Sequence, residues 1–340
     1  MDENYTFIDE LRAAPRINAL LTDFEAIAAG KTGRPRQRVP LRRDLLGHDA
    51  LACTFGETMM KLAGHFEEHI AASVPWMREE RARYGAALWR YGQDLAARRR
   101  SPATVYTTSG AEGTEIRALA ALAQGHIEAL SCSPNAANQE QFHTCGAPDG
   151  AYFFLGPYYE VTLPELARRG LPQFGAGFDV IVEETTFQMY HPSRHEQIGL
   201  LRRSLKSDGI LMLLEKLNAN SPDEYARRER QKDDLFKTRY FDQDQIAHKR
   251  ASILGHMDAM QVSMPELTAA LRQHFRAAVI LFNSGNFYHI AASNNPGNLA
   301  RLVAQCIPPA TPPAFMYHRL PEILFSPPGY GYVFRPAFSG

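Results

Sequence analysis

The feature that most constrains this chain is a change of texture at Pro102. Before it, apolar residues recur at helical spacing and nothing alternates like a strand. After it, short β-branched and apolar runs alternate with helical segments. Thr104–Thr108 reads as a buried strand, Ser109–Gly113 as a small-residue turn and Glu115–Ala123 as a helix. His126–Leu130, Tyr152–Leu155 and Phe178–Val182 read as the second, third and fourth strands. A helix over Glu196–Ser204 leads to a fifth strand, Ile210–Leu214, announced by Asp208-Gly209. Strands separated by helices need crossover connections, which are right-handed. The expected fold class is therefore α/β, a doubly wound and mostly parallel sheet. Residues 221–260 are charged and helical. Ala277–Phe282 and Asn286–Ala292, joined through Ser284-Gly285, close the sheet as a C-terminal antiparallel hairpin.

The chain divides into three regions: 1–100, 101–295 with a helical insertion at 218–262, and 296–340. In the first, Leu11, Ile17, Leu20, Leu21 and Phe24 keep helical spacing. A linker rich in Gly, Pro and Arg follows around Gly30–Pro40. A second helical stretch runs from Leu45 to about Ala97, broken at Ser73-Val74-Pro75. A pocket above an open sheet needs a cover, so 1–100 is expected to cap it; it is also the candidate surface for a homodimer. The tail holds Pro308-Pro309, Pro312-Pro313 and Pro327-Pro328-Gly329-Tyr330. It is too aromatic for a free linker and is expected to pack on the domain.

Composition narrows the function. The net charge of the 340 residues is zero, which disfavours a polyanion such as nucleic acid. The basic runs Arg34–Arg38 and Arg98–Arg100 are local and read as solvated loops. The four cysteines form no CxxC pair, so neither a zinc framework nor a disulfide scaffold is expected. Met1-Asp2-Glu3-Asn4 opens acidic without an apolar leader, and no apolar run approaches the ~20 residues of a membrane span. A cytoplasmic protein without a membrane partner is the expectation.

A parallel sheet binds its ligands at the carboxyl ends of its strands, near the switch point. The turn after the first strand, Ser109-Gly110-Ala111-Glu112-Gly113, has small side chains that let a ligand approach the backbone. It lacks both the Lys-Ser/Thr of a phosphate loop and the GxGxxG of a dinucleotide site. The second strand ends Ser131-Cys132-Ser133-Pro134, the fourth carries Glu183-Glu184 at its mouth, and the fifth ends Glu215-Lys216-Leu217.

With its parts in this order the chain resembles class I S-adenosylmethionine (SAM) dependent methyltransferases, and most closely the carboxy-SAM synthase-like members. The likeness rests on Ala72–Pro75, Thr186–Met189, Pro192–Arg194, Leu205, Asp208-Gly209 and Glu215–Leu217. Phe236-Lys237, Tyr240, Ile246, Lys249-Arg250 and Asn286-Phe287 extend it. It runs from about residue 65 to 293. The resemblance implies SAM as methyl donor, held by Ser109, Gly110, Ala111 and Gly113 beside Ser131 and Cys132. Pro157 and Tyr158 after the third strand, and Glu183 and Glu184 at the fourth, belong to the same implied site. Arg239 falls where the synthase holds the carboxylate of its cofactor. Where the family has acidic residues on the first strand and at the end of the second, this chain has Thr107 and Ser131; Glu112 and Glu115 are the available substitutes. Two of the family's turn glycines are Ser109 and Ala111 here. Trp76 and Met77 replace the glycine and tyrosine of another family segment, and either cover the adenosine or pack the core.

Glu184, Tyr190 and His191 follow the fourth strand, where the acceptor would meet the donor, and Tyr240 joins them as a catalytic candidate. A histidine titrating near neutrality suits removal of the acceptor's proton. The plainer reading makes Glu183 and Glu184 one paired and one solvated carboxylate, His191 a surface residue and Arg239 an ordinary helical charge. His191 and His195 have a spacing that suits zinc, but no further ligand completes a set, so no metal is expected. His289, inside a strand, reads as a core histidine. The leading expectation is methyl transfer to a small-molecule acceptor of secondary-metabolite type. The alternatives are carboxy-SAM synthase-like chemistry and a catalytically degenerate fold that binds a partner.

Overall fold

A computed structural model describes residues 3–329. Its eight-stranded sheet has the order β3-β2-β1-β4-β5-β7-β6-β8. The strands are β1 Ala103–Thr108, β2 Ile127–Ser133, β3 Ala151–Leu155, β4 Phe178–Glu184, β5 Leu205–Lys216, β6 Ala277–Ser284, β7 Phe287–Ser293 and β8 Glu322–Phe325. β1 to β5 are parallel, β7 runs antiparallel to β5, and β6 and β8 continue antiparallel. This is the doubly wound sheet with a C-terminal hairpin that the alternation of strands and helices implies. Chain order reverses at β1, which lies between β2 and β4, so the crevice of the fold opens there.

β1 and β4 are buried along their whole length, as befits central parallel strands covered on both faces. One core, on one side of the sheet, gathers Tyr106, Phe178, Ile181, Leu211 and Leu213. The other gathers Val105, Val180, Met212 and, from the helix Met77–Arg99, Tyr84, Leu88, Tyr91 and Leu95.

The N-terminal region is helical as expected: Glu3–Ala13, Pro15–Ala28, Ala50–Leu62, His65–Ser73 and Met77–Arg99. The break at Ser73–Pro75 is present, and Trp76 adopts a left-handed backbone with φ 64°. The five helices divide their work. Pro15–Ala28 and His65–Ser73 overhang the carboxyl edge of the sheet, whereas Met77–Arg99 is built into the core. Its Arg78, Glu79, Glu80, Arg81 and Arg83 are all buried. Such a helix escapes hydropathy reading because its buried groups are charges that pair.

Two further departures have simple causes. Asp208-Gly209 does not precede β5 but lies inside it, at a register shift against β4 between Phe178 and Val180. The tail contributes a helix, Pro296–Ala304, that buries Leu299, Leu302 and Val303, and then the edge strand β8. Residues 330–340 of the expected packed tail, and the side chain of Ile17, lie outside the described residues. No described helix is long and apolar enough to cross a membrane.

Candidate active site

A cavity of about 1340 Å³, counting the space at its mouth, follows the carboxyl edge of the sheet. Ser133 and Pro134 after β2, Ser109 and Ala111 after β1, and Glu184 and Thr185 at β4 line it in turn. Leu214 and Lys216 of β5 and Phe287 of β7 complete the floor. The roof is Leu20, Leu21 and Phe24 from Pro15–Ala28, Phe66, His69, Ile70 and Ser73 from His65–Ser73, and Ile253, Leu254 and Met257 from the insertion. The cavity is elongated, running from the end of β2 past β1 and β4 to β5 and β7.

The turn after β1 is strained. Ser109 and Ala111 have φ of 46° and 47°, in the left-handed region that favours glycine. Thr185, a β-branched residue, has φ 51° on the same wall. Strain of this kind concentrates where a site must hold a shape. Gly110 has no room to grow: a Cβ there would stand 2.9 Å from both Ser131 Oγ and Thr107 Cγ2. Glu112 is buried beside the cavity and not part of its lining; its carboxylate accepts from the backbone N–H of Glu67 at 2.9 Å and so ties the turn to the start of His65–Ser73.

At the end of β2, the polar groups on the wall differ from those the sequence suggests. Thr107 and Ser131 are buried beneath the floor, with hydroxyls that find no partner. Ser133 Oγ accepts from Asn138 Nδ2 at 2.9 Å and from the Asn135 backbone at 3.2 Å. Asn135 Oδ1 caps the next helix by accepting from Ala137 N at 2.9 Å. Asn135 Nδ2 and Asn138 Oδ1, on residues that line the cavity, are left as a buried donor and a buried acceptor without partners.

The middle of the cavity is a charge network. Glu183 and Glu184, being consecutive on a strand, point to opposite faces. Glu183 accepts from the N–H groups of Thr186 and Phe187 and caps the short helix Phe187–Tyr190; burial and Glu215 push its carboxyl well above the usual range. Glu184 lines the cavity, bonded to Arg81 and accepting from Tyr84 Oη at 2.8 Å. Arg81 also bonds Glu67, and Tyr84 also meets Glu115. A phenol has one hydrogen but faces two carboxyl groups here, so one of them must be protonated. That one is Glu115, which burial and the neighbouring Glu184 push well above the carboxylate range. Burial raises Glu67 to about 7 against the pull of Arg81.

The far end of the cavity is basic. Lys216 pairs with Asp258 at 2.9 Å and Glu229 at 3.1 Å, Lys232 with Glu229, and Lys237 with Asp233 at 2.9 Å. Lys249 contacts His69 Nε2 and donates to Ser73 Oγ at 2.8 Å.

Of the residues singled out from sequence, Ser109, Ala111, Glu184 and Tyr190 come together on this wall. The Tyr190 hydroxyl is buried and unpartnered. Gly110 and Gly113 shape the turn from behind. Cys132 packs under it, contacting Tyr106 Oη at 3.1 Å, with burial pushing its thiol up to about 11. Tyr158 is buried behind the wall, donating to Gln197 at 2.8 Å, and Pro157 precedes it. His191 stands outside the cavity because the backbone turns extended after Tyr190. Its ring lies edge-on to Phe7, its Nδ1 accepts from Ser193 N at 3.0 Å, and its Nε2 is 3.8 Å from Glu10. Arg239 and Tyr240 line a separate small cleft with Trp76, Phe236 and Glu79, whereas Met77 reaches the main cavity. His195 pairs with His274 at 2.9 Å, and no group of three or more metal-ligating side chains occurs among the described residues. His289 is buried against Tyr84 and bonded to Glu80 at 3.2 Å.

Sequence reading missed Glu67, Arg81, Asn135, Asn138 and the lysines. The run Ser133-Pro134-Asn135 with Asn138, opening a helix directly after a parallel strand, was the available signal for the asparagines. Glu67 and Arg81 carried none, because only the fold brings their helices to β4.

No family model matches the chain, and no curated protein matches it. Among solved structures, the plantazolicin methyltransferase BpumL in complex with SAH is similar over 74% of this chain and 99% of its own, at 8% identity and a TM-score of 0.44. The plantazolicin methyltransferase BamL in complex with SAH and a triazolic desmethylPZN analog matches 82% of this chain and 99% of its own, at 10% identity and a TM-score of 0.43. A SAM-dependent methyltransferase from Aquifex aeolicus matches 61% of this chain and 90% of its own, at 11% identity and a TM-score of 0.34. Likeness this distant says nothing of activity, which has to be argued from the site.

Proposed function

We propose that this chain is a SAM-dependent methyltransferase acting on a small-molecule acceptor. The observation that supports this most is the unpartnered pair Asn135 Nδ2 and Asn138 Oδ1 at the end of β2, beside the switch point. A ribose carries two adjacent hydroxyls, each able to donate and accept, and one buried donor beside one buried acceptor suits them. The donor's amino-acid end would then follow the turn Ser109–Ala111 toward β4. There Glu184 and Glu67 offer carboxyl oxygens to the middle of the cavity, a setting that favours a positive sulfonium.

SAM supplies, when bound, a methyl group already activated by its sulfonium. The chain's own work is to align acceptor and donor and to keep water out, which the roof helices Pro15–Ala28 and His65–Ser73 are placed to do. Glu67 is the group suited to take the acceptor's proton. It lines the cavity and its pKa of about 7 matches the requirement of a base working near neutrality. Arg81 holds Glu67 and Glu184 in place. His191, outside the cavity, is not proposed as the base.

Arg239, on which carboxy-SAM chemistry would rest, lies in a separate cleft, which lends that reading no support. Titration calorimetry with S-adenosylhomocysteine (SAH) tests the proposal: saturable binding of one nucleoside per chain is expected. No binding to the folded chain would remove the methyltransferase reading.

A further inference from the structure

The basic end of the cavity has a lysine that no carboxylate among the described residues answers. Lys216, Lys232, Lys237 and Lys249 all line it. Three carboxylates serve this group: Glu229, Asp233 and Asp258. Asp233 is further shared with Arg250. Lys249 is the cation left over, with no salt bridge among the described residues; its ammonium meets only a histidine ring and a hydroxyl. The ring is no counter-charge. His69 Nδ1 bonds the Gly33 carbonyl at 2.7 Å, which only accepts, so Nδ1 carries the hydrogen and Nε2 is the neutral acceptor facing Lys249.

Lys249 is partly buried, and a cation withdrawn from water without a counter-ion is costly. Burial, with Lys237 and Lys232 close by, draws the Lys249 ammonium well below the usual lysine range, and burial draws Lys232 down to about 7. The local backbone is also unusual: the helix Gln243–Lys249 passes directly into a π-helical turn, Arg250–Leu254, which carries Ile253 and Leu254 onto the cavity wall. Such turns are rare and frequently occur at functional sites.

The position of this end decides what it serves. Lys216 closes β5, two strand spacings or about 10 Å from β1, and the Asn135–Asn138 pair lies beyond β1 on the other side. Between them stands the acidic middle, Glu67 and Glu184. The wall beside the lysines is apolar, built by Phe24, Phe66, Met189, Ile253, Leu254 and Met257.

We propose that Lys249, supported by Lys216 and Lys232, is an anion subsite that holds the carboxylate of an otherwise apolar acceptor. Lys249 is the one lysine of the four without a carboxylate partner among the described residues; a monoanion would pair it and favour its charged form, and the apolar wall takes the acceptor's body. Naming the occupant an acceptor rests on the methyl-transfer reading; the anion subsite itself does not.

Octanoate and 1-octanol, which share an apolar chain and differ in the carboxylate, are the probes for calorimetric titration of the full chain. Octanoate is expected to bind, and 1-octanol about 10–100-fold more weakly, the worth of a hydrogen bond to a charged group. Equal binding of the two, or no binding of octanoate, overturns the subsite without any variant. Lys249→Met should weaken octanoate by a similar factor, while Lys249→Arg keeps it within a few-fold. Octanoate bound by Lys249→Met as tightly as by the unmodified chain overturns the role of Lys249. SAH, titrated into the same variants, separates the two sources of a carboxylate. Unchanged SAH affinity in Lys249→Met is expected; loss of SAH binding there would assign the subsite to the donor and overturn the acceptor reading. Failure of SAH to bind the unmodified chain, with octanoate still binding, would remove the methyltransferase reading alone.

Discussion

The two ends of the cavity are built in different ways. The β2–β1 end is made of strand termini, a strained turn and short polar side chains, all within one stretch of sequence from Ser109 to Asn138. The β5 end is made of long charged side chains from β5, the insertion and an N-terminal helix, which lie up to 180 residues apart in the chain, as at Lys249 and His69. The first is shaped for a ligand that lies close to the backbone, and it is the end assigned to the proposed donor. The second is set largely by the insertion, and it is the end assigned to the proposed acceptor. Between them, Glu67, Arg81 and Glu184 link the N-terminal helices to the sheet.

The contrast is broken most sharply at the middle. Glu67→Gln should lower turnover by about 10²–10⁴ once an acceptor is known, with SAH affinity nearly unchanged. An equal loss of SAH binding, read by calorimetry, would make Glu67 a binding group instead of a base. The same variant carries a pH signature. The ordinary carboxyl pKa is about 4.3 in an unfolded chain, whereas the folded Glu67 keeps its proton to about 7. Between those values the unfolded state binds fewer protons, so the Glu67 contribution to stability falls as pH rises through the window and is level above it. The fall is at most about 4 kcal/mol. Melting curves from pH 4.5 to 8 should show a shallower decline for Glu67→Gln than for the unmodified chain.

At the nucleoside end, Asn138→Ala removes one acceptor. It should weaken SAH by about 10-fold, the worth of one buried hydrogen bond, and leave octanoate affinity alone. Loss of both ligands in a folded variant would show that the two ends are not separable. The smallest effect is expected at Ala111→Gly. Glycine relieves a left-handed backbone of φ 47° and should raise stability by about 1 kcal/mol, less the entropy of a freer unfolded chain. A lower denaturation midpoint would mean that the turn is not strained as described.

How much was legible follows the same division. The strands of the sheet could be read because buried parallel strands are short apolar runs, and Phe178–Val182 and Ile210–Leu214 announce themselves. The turn Ser109–Gly113 could be placed by strand order. The edge strand β8 and the helix Pro296–Ala304 were hidden in a proline-rich tail whose pattern is weak. Glu184 can be placed on the cavity wall because it ends a strand, whereas the extended backbone after Tyr190 carries the His191 ring outside the cavity. Glu67, Arg81 and Lys249 could not be read locally. Their meaning arises from burial and from partners far along the chain, and a charged helix such as Met77–Arg99 looks like a solvated surface until its ion pairs are seen.

The most direct measurement is a crystal structure of the chain soaked with SAH. The account predicts the ribose hydroxyls within about 2.6–3.2 Å of Asn135 Nδ2 and Asn138 Oδ1, the amino-acid end along Ser109–Ala111, and the sulfur facing the Glu67–Glu184 middle. Lys249 should be left free. A nucleoside seated in the Trp76–Tyr240 cleft, or one inverted with its ribose among the lysines, would contradict it.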